Sequence, residues 1–280
     1  MDRKPEAPPT DARLSTSDSR EFDPSEFDAD IRPVGEHEWT ATLSDRWNAF
    51  GGVVNGGYLL AVALTALRAE MPFPEPLAAS AYFLRPGAPG PARLRTEIAR
   101  VGRRLATGEA RLHQDGGEVL RVLASFVDPG RSRGPTVVGA QMPDLPDPEL
   151  CADLGDLGDA TIARRVEYRY PERPGWVGGR PSGVPRAEFW MAFADGREID
   201  SFGLALLVDA AAPVVLDVGA GASATTELTV HLRDRPAPGW LACRASTRFL
   251  IDGYHEEDFE LWDRTGRLVA QARQLALVSG

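Results

Sequence analysis

Residues 56–70 have the sequence GGYLLAVALTALRAE, a mostly apolar segment for which we predict a buried helix. Four strand-like runs follow this segment, at about residues 79–85, 93–102, 105–114 and 118–128. Turns that contain glycine join the runs, which is typical of an antiparallel meander. Because an apolar helix must cover its surface, we expect it to pack against this sheet.

The second half of the chain repeats the same order of elements. A helix predicted from about Arg197 to Ala211 precedes strand-like runs at about residues 224–232, 240–250, 254–263 and 267–278. The spacing from Pro86 to Gly116 equals the spacing from Pro236 to Gly266, which indicates an internal duplication.

A sheet wrapped around a central helix is the hotdog arrangement. The sequence therefore predicts an α+β double hotdog, with two helix-plus-antiparallel-sheet repeats packed as a pseudo-dimer. We expect the two sheets to join edge to edge, since this removes exposed strand edges. Two separate α+β domains are the structural alternative.

The segments outside the repeats differ from them in composition. Residues 1–28 are rich in Pro, Asp, Ser and Glu and predict a disordered tail. Residues 131–174 predict a linker with one short helix near Leu150 to Arg164. The N-terminal repeat is then expected at residues 29–130 and the C-terminal repeat, which carries the candidate site, at residues 175–280.

Charge and cysteine usage restrict the classes of function. The net charge of −10 argues against generic nucleic-acid binding. The first residues do not resemble a signal peptide and no apolar run reaches the length of a membrane span, so a cytoplasmic location is expected. Cys151 and Cys243 have no metal-ligand spacing; no metal and no cofactor are predicted, and a single disulfide stays open.

Three polar residues occupy apolar patterns in the second half. Asp209 ends the apolar helical run that begins at Phe202, so its carboxylate is expected to point inward. Thr226 alternates with the apolar residues of one predicted strand, and Gln274 alternates with the alanines of another. Because a buried polar group is costly unless it is hydrogen-bonded, the three residues raise the question of whether they converge on a ligand or a water.

The duplication offers a comparison within the chain. Aligning the repeats places Ala124 opposite Gln274 and Ala78 opposite Thr226. Polar pairs needed by the fold would tend to occur in both copies, so polarity in one copy favours a single functional site.

Four segments carry a resemblance to a known family. They are WNAFGGVVNGGYLLAVALTALRAE (47–70), AYFLRPGAPGPARL (81–94), TELTVHLRDRPAPGWL (226–241) and GRLVAQARQLALV (266–278). Over roughly residues 35–130 and 175–280, the chain resembles the acyl-CoA thioesterase-like double-hotdog family, the relatives of bacterial acyl-CoA thioesterase II. The resemblance implies hydrolysis of acyl-CoA thioesters to free carboxylic acid and CoA by an activated water. A homo-oligomer, dimer or higher, is left open.

The resemblance also implies roles for particular residues. Similar proteins of the thioesterase II type use an Asp, a Thr and a Gln to position the attacking water. Motif order places these roles on Asp209, Thr226 and Gln274, with Thr225 as the alternative threonine. A non-catalytic acyl-thioester or lipid-binding hotdog protein is the alternative function.

The start of the first helix supplies the expected substrate-binding residues. The backbone N–H groups of Gly56 and Gly57 are suited to stabilise an oxyanion, because a helix N-terminus presents free donors. Tight packing of the helix is an equally weighted alternative for these two glycines. Asn55 is predicted to cap the helix, and Tyr58 is a candidate for lining an acyl pocket, with a plain core position as its alternative.

Overall fold

Each half of the chain contributes one helix and a set of antiparallel strands. The computed structural model describes residues 27–278. The first half contains β1 (Arg32–Gly35), β2 (Glu38–Leu43), α1 (Gly56–Arg68), β3 (Glu75–Phe83), β4 (Gly90–Val101), β5 (Leu105–Gln114) and β6 (Gly117–Val127). The second half contains β7 (Ala152–Asp153), β8 (Val166–Tyr170), β9 (Arg186–Phe193), α2 (Ser201–Leu207), β10 (Ser223–Leu232), β11 (Leu241–Ser246), β12 (Leu250–Ile251), β13 (Tyr254–Asp263) and β14 (Leu268–Val278).

Short 3₁₀ turns connect these elements. They span Asp45–Trp47, Phe50–Gly52, Pro129–Arg131, Pro148–Leu150, Thr161–Arg164, Gly175–Gly178 and Val214–Val218.

The strands form one continuous sheet. Their order is β1-β2-β4-β5-β6-β3-β10-β14-β13-β11-β9-β8-β7, and β12 pairs with β13. The order β2-β4-β5-β6-β3 in the first half corresponds to the order β9-β11-β13-β14-β10 in the second half. Strands β3 and β10 therefore lie at the junction of the repeats. They pair antiparallel, with Ser80 opposite Thr229. The prediction of a double hotdog with edge-joined sheets is confirmed.

The two helices lie against the sheet and against each other. Helix α1 is buried from Gly57 to Leu67, which explains why its sequence is apolar on nearly all sides. A Cβ built on Gly57 would lie only 2.3 Å from the carbonyl oxygen of Leu206 in α2. The helices can therefore approach this closely only because residue 57 is a glycine.

Several boundaries differ from those predicted. Strand β8 lies within residues 131–174 and pairs with β9, because Val166, Tyr168 and Tyr170 alternate as the buried residues of a strand. The short helix expected near residues 150–164 is replaced by two 3₁₀ turns. Helix α2 is shorter than predicted, since Asp200 caps it by accepting from the Gly203 N–H.

The predicted disordered tail lies outside the described residues except at its end. Phe27 is buried there, and Asp28 accepts hydrogen bonds from Arg46 and from the indole N–H of Trp47. None of the helices in residues 27–278 combines the length and apolar character needed to cross a membrane. Both cysteines are free thiols.

Candidate active site

Asp209 lies at the junction of the two repeats, in the turn that follows α2. Its Oδ2 accepts a 2.7 Å hydrogen bond from the backbone N–H of Gly57 in the first turn of α1. The amide of Asn55 donates to the backbone carbonyl of Asp209 at 2.8 Å and to its Oδ2 at 3.3 Å. The carboxylate thus sits at the positive end of the α1 dipole, which belongs to the other repeat.

Burial raises the pKa of Asp209 to about 7, although the hydrogen bonds from Gly57 and Asn55 act in the opposite direction. The donors to the carboxylate are Gly57 and Asn55, both at the start of α1. A carboxylate with a pKa near neutrality suits general-base chemistry.

Gln274 lies on the inner face of β14, where its Oε1 accepts a 2.6 Å hydrogen bond from the hydroxyl of Thr225. Thr226 instead donates to the backbone carbonyl of Leu275 at 2.8 Å. The predicted contact of Thr226 with Gln274 is therefore not the one that forms. Thr225, the alternative, forms the contact with Gln274.

A β-bulge explains this difference. The register between β10 and β14 shifts between Thr225 and Glu227, so that Thr226 is an extra residue without a partner in the ladder. Plain alternation through β10 puts Thr226 on the face of Leu228 and Gln274. The bulge offsets that alternation by one residue, and a sequence pattern alone carries no mark of it.

Glu257 on β13 completes this polar group and was missed by the sequence analysis. It stands directly across from Gln274 in the sheet, and its Oε1 accepts from the Gln274 amide at 3.1 Å. Its Oε2 accepts from the backbone N–H of Val214 at 2.7 Å. The available signal was its alternation with Phe259 and Leu261, two residues that are also buried on the inner face.

Burial raises the pKa of Glu257 to about 7, against the hydrogen bonds from Val214 and Gln274, and the charges of Asp209 and Glu256 raise it further. Asp209 and Glu257 therefore interact electrostatically inside the same region of the C-terminal repeat. Within residues 27–278, Asp209 makes no direct hydrogen bond to Thr225 or Gln274. The site consists of two neighbouring hydrogen-bonded groups, one around Asp209 and one around Gln274.

The equivalent positions in the first repeat carry no polar side chains. Strand registers place Ala124 at the position of Gln274 and Gly108 at the position of Glu257. A bulge also occurs in β3, where Leu77 is the extra residue, so Leu77 and not Ala78 corresponds to Thr226. Pro76 then corresponds to Thr225. The position of Glu257, occupied by Gly108 in the first repeat, is thus a further position that is polar only in the C-terminal repeat.

The residues at the start of α1 have distinct positions. Asn55 caps α1 by accepting from the Tyr58 N–H at 3.0 Å, as predicted. A Cβ on Gly56 would lie 2.7 Å from Asp209 Oδ2 and 2.8 Å from the ring of Phe83. An added Cβ would meet the backbone of α2 at Gly57 and the side chains of Asp209 and Phe83 at Gly56, which supports the packing alternative weighed for these glycines.

The backbone N–H groups of Gly56 and Gly57 differ in whether they already donate a hydrogen bond. The Gly57 N–H is engaged by Asp209, whereas the Gly56 N–H has no protein acceptor within the part of the chain that the structure describes. Tyr58 is fully buried, stacks on Trp47 with ring centroids 5.8 Å apart, and accepts from the Ser44 N–H. Tyr58 is therefore a core residue that supports α1.

The catalytic candidates remain partly accessible. Asp209, Thr225 and Gln274 each keep an intermediate exposure as residues, although the carboxylate of Asp209 itself is buried. No group of His, Cys, Asp and Glu side chains in residues 27–278 is arranged to hold a metal ion.

Comparison with known sequences identifies two matching domain families. The acyl-CoA thioesterase N-terminal domain matches residues 43–127, and the acyl-CoA thioesterase C-terminal domain matches residues 141–278. An uncharacterized protein of Mycobacterium tuberculosis is 30% identical over 267 residues, which cover 84% of this chain and 89% of that protein.

Solved structures show the same architecture. A protein from Thermobifida fusca, provisionally described as a thioesterase II, superposes with a TM-score of 0.82 at 31% identity, covering 91% of this chain and 98% of its own. A hot dog fold protein of unknown function from Alicyclobacillus acidocaldarius gives a TM-score of 0.79 at 21% identity, covering 89% and 96%. An acyl-CoA thioesterase II from Mycobacterium marinum gives 0.70 at 18% identity, covering 89% and 96%.

Proposed function

Because the chain belongs to the acyl-CoA thioesterase family, we propose that it hydrolyses acyl-CoA thioesters to a free carboxylic acid and CoA. The observation that carries the proposal is the carboxylate of Asp209, buried at the junction of the repeats with a pKa of about 7 and no cationic partner within residues 27–278. Such a group can take a proton from water near neutral pH.

The proposed reaction begins with a water held beside Asp209 and Gln274. Asp209 accepts one proton of the water as its oxygen attacks the thioester carbonyl carbon. Gln274 orients the water through its amide, and Thr225 fixes that amide by donating to Oε1. No acyl-enzyme forms, because the nucleophile is the water itself.

The developing oxyanion requires donors that are free in the resting protein. We assign this role to the N–H of Gly56, the first residue of α1, whose Cα packs against the Asp209 carboxylate. Collapse of the tetrahedral intermediate breaks the carbon–sulfur bond. The departing CoA thiolate then takes the proton from Asp209, which restores the carboxylate.

The proposal is tested by a thiol-release assay on acyl-CoAs of short, medium and long chain. The variants are Asp209→Asn and, as a matched control, Asp115→Asn, which changes an exposed aspartate in the β5–β6 turn. We expect turnover by the parent and by the control, and its loss by a factor of about 10³ or more in a folded Asp209→Asn variant.

Two results would count against hydrolysis by this site. If Asp209→Asn keeps the turnover of the parent, Asp209 is not the base. If the parent binds acyl-CoA but releases no thiol from any chain length, a non-catalytic acyl-thioester-binding role takes the place of the hydrolase.

A further inference from the structure

We propose that Glu257 is a positioning residue that holds the amide of Gln274 in the orientation needed for hydrolysis. The inference rests on the proposed function, because it concerns the same site. Glu257 does not itself touch the reacting atoms in this proposal and acts through Gln274.

The hydrogen bonds around Gln274 define one orientation of its amide. When Glu257 is ionised, its carboxylate only accepts, so Oε1 then requires the nitrogen of the Gln274 amide to face it, at 3.1 Å. The amide oxygen then faces Thr225, whose hydroxyl must donate, at 2.6 Å. In the reversed orientation, the amide oxygen would face the carboxylate oxygen and both would be acceptors.

This orientation determines what Gln274 offers to a water. One of its two N–H groups is used by Glu257, which leaves the other free to donate. The Thr225 proton is used by the amide oxygen, which leaves lone pairs of the hydroxyl free to accept. The group therefore presents one defined donor and one defined acceptor, as a positioned water requires.

Within residues 27–278, Glu257 shares burial without a cationic partner with Asp209 and Asp217, and differs in this from the buried carboxylates that form ion pairs. Asp263 is also fully buried but pairs with Arg267 at 2.8 Å, and the partly buried Glu188 pairs with Arg244 at 2.8 Å. Within residues 27–278, Glu257 has no ion-pair partner, although its residue is only 4% exposed. An unpaired buried carboxylate is costly to the fold, which favours a functional reason for its presence.

The first repeat supplies the matching structural comparison. At the position of Glu257 it has Gly108, against which Met71 and Leu67 pack, and at the position of Gln274 it has Ala124. The same strand pair is therefore built without a carboxylate in one copy. The carboxylate and the amide are thus both present in the C-terminal repeat and both absent from the equivalent positions of the first repeat.

The charged and titratable surroundings of Glu257 come from several elements. Asp209 follows α2, Glu256 is its neighbour on β13, Tyr170 ends β8, and His255 precedes it on the same face of β13. Burial is the largest cause of its raised pKa, and the charges of Asp209 and Glu256 add to it. The pH dependence of the group must therefore be measured with Asp209 removed.

A double-mutant cycle tests the inference. Glu257→Gln, Gln274→Ala and the double variant are compared for kcat and KM, with Glu256→Gln as the matched removal of a neighbouring carboxylate. We expect Glu257→Gln to lower kcat about 10-fold or more with little change in KM, and to have no further effect in the Gln274→Ala background. An equal loss of kcat in both backgrounds, or no loss in either, would overturn the inference.

A second measurement does not require turnover. The side-chain NH₂ resonances of Gln274, identified by their loss in Gln274→Ala, are followed against pH in the Asp209→Asn background. We expect them to shift with a midpoint well above the usual range of a glutamate, and adding Glu257→Gln should abolish the shift. Resonances that do not respond to pH would refute the contact even if Glu257→Gln fails to fold.

The two measurements separate the two proposals. A parent without thiol release refutes the proposed function, and the NMR titration then decides the Glu257–Gln274 contact alone. A parent that hydrolyses thioesters while Glu257→Gln retains its kcat supports the function and refutes the inference.

Discussion

The close approach of the two helices predicts a large effect for Gly57→Ala. The added Cβ would lie 2.3 Å from the carbonyl oxygen of Leu206 and 3.0 Å from the Cβ of Asp209. Ordinary contact begins at 3.4 Å, so the backbone of α2 must move by about 1 Å relative to α1. Overpacking of this kind costs about 1–3 kcal/mol, against which the better helix propensity of alanine returns up to about 1 kcal/mol.

The same displacement acts on the candidate base. Because the Gly57 N–H and Asp209 Oδ2 are joined at 2.7 Å, a shift of about 1 Å breaks the positioning of the carboxylate, for which losses of about 10²-fold in rate are typical. We therefore expect Gly57→Ala to lower both the free energy of unfolding and kcat.

The assays are urea unfolding and thiol release from the best acyl-CoA substrate. The control is Gly116→Ala, where an added Cβ meets no heavy atom within 4 Å and the backbone is not left-handed. We expect the control to match the parent in both assays. An unfolding free energy of Gly57→Ala within about 0.5 kcal/mol of the parent would refute the argument from helix approach.

Three further predictions follow from the site and its surroundings. Thr225→Val should lower kcat about 10²-fold in the thiol-release assay while Thr226→Val changes it less than about 3-fold, and the reverse order would contradict the assignment from the bulge. Since burial raises the pKa of Asp209 and Glu257, the folded protein binds protons that the unfolded chain has lost. The free energy of unfolding should therefore fall as pH rises from about 4.5 to about 7, by about 3 kcal/mol for Glu257. In urea-unfolding experiments across this pH range, Glu257→Gln should reduce that fall. Burial raises the pKa of Asp263, but hydrogen bonds from Thr265, Ala237 and Arg267 outweigh burial and lower that pKa to about 2. Asp263→Asn should therefore lower the free energy of unfolding by about 2 kcal/mol at pH 7. A parent protein that loses no stability on acidification from about pH 4 to pH 2 would contradict this.

Local patterns in the sequence were sufficient for most of the fold. The apolar run of α1, the alternation in β3 to β6 and their repetition in β10 to β14 depend on neighbouring residues, so periodicity reveals them. The short strand β8 falls in the predicted linker because residues 131–174 as a whole are rich in proline and glycine. Its partner β9 is what makes it a strand.

The sequence by itself determined the double-hotdog architecture, the capping of α1 by Asn55 and the candidacy of Asp209 and Gln274, because each depends on local periodicity or on repetition within the chain. Only the tertiary structure decided that the N-terminus of α1 in one repeat meets Asp209 in the other, and that Thr225 rather than Thr226 meets Gln274. It also revealed Glu257. These contacts depend on strand register, a bulge and the approach of two helices, which arise from packing between segments far apart in the sequence.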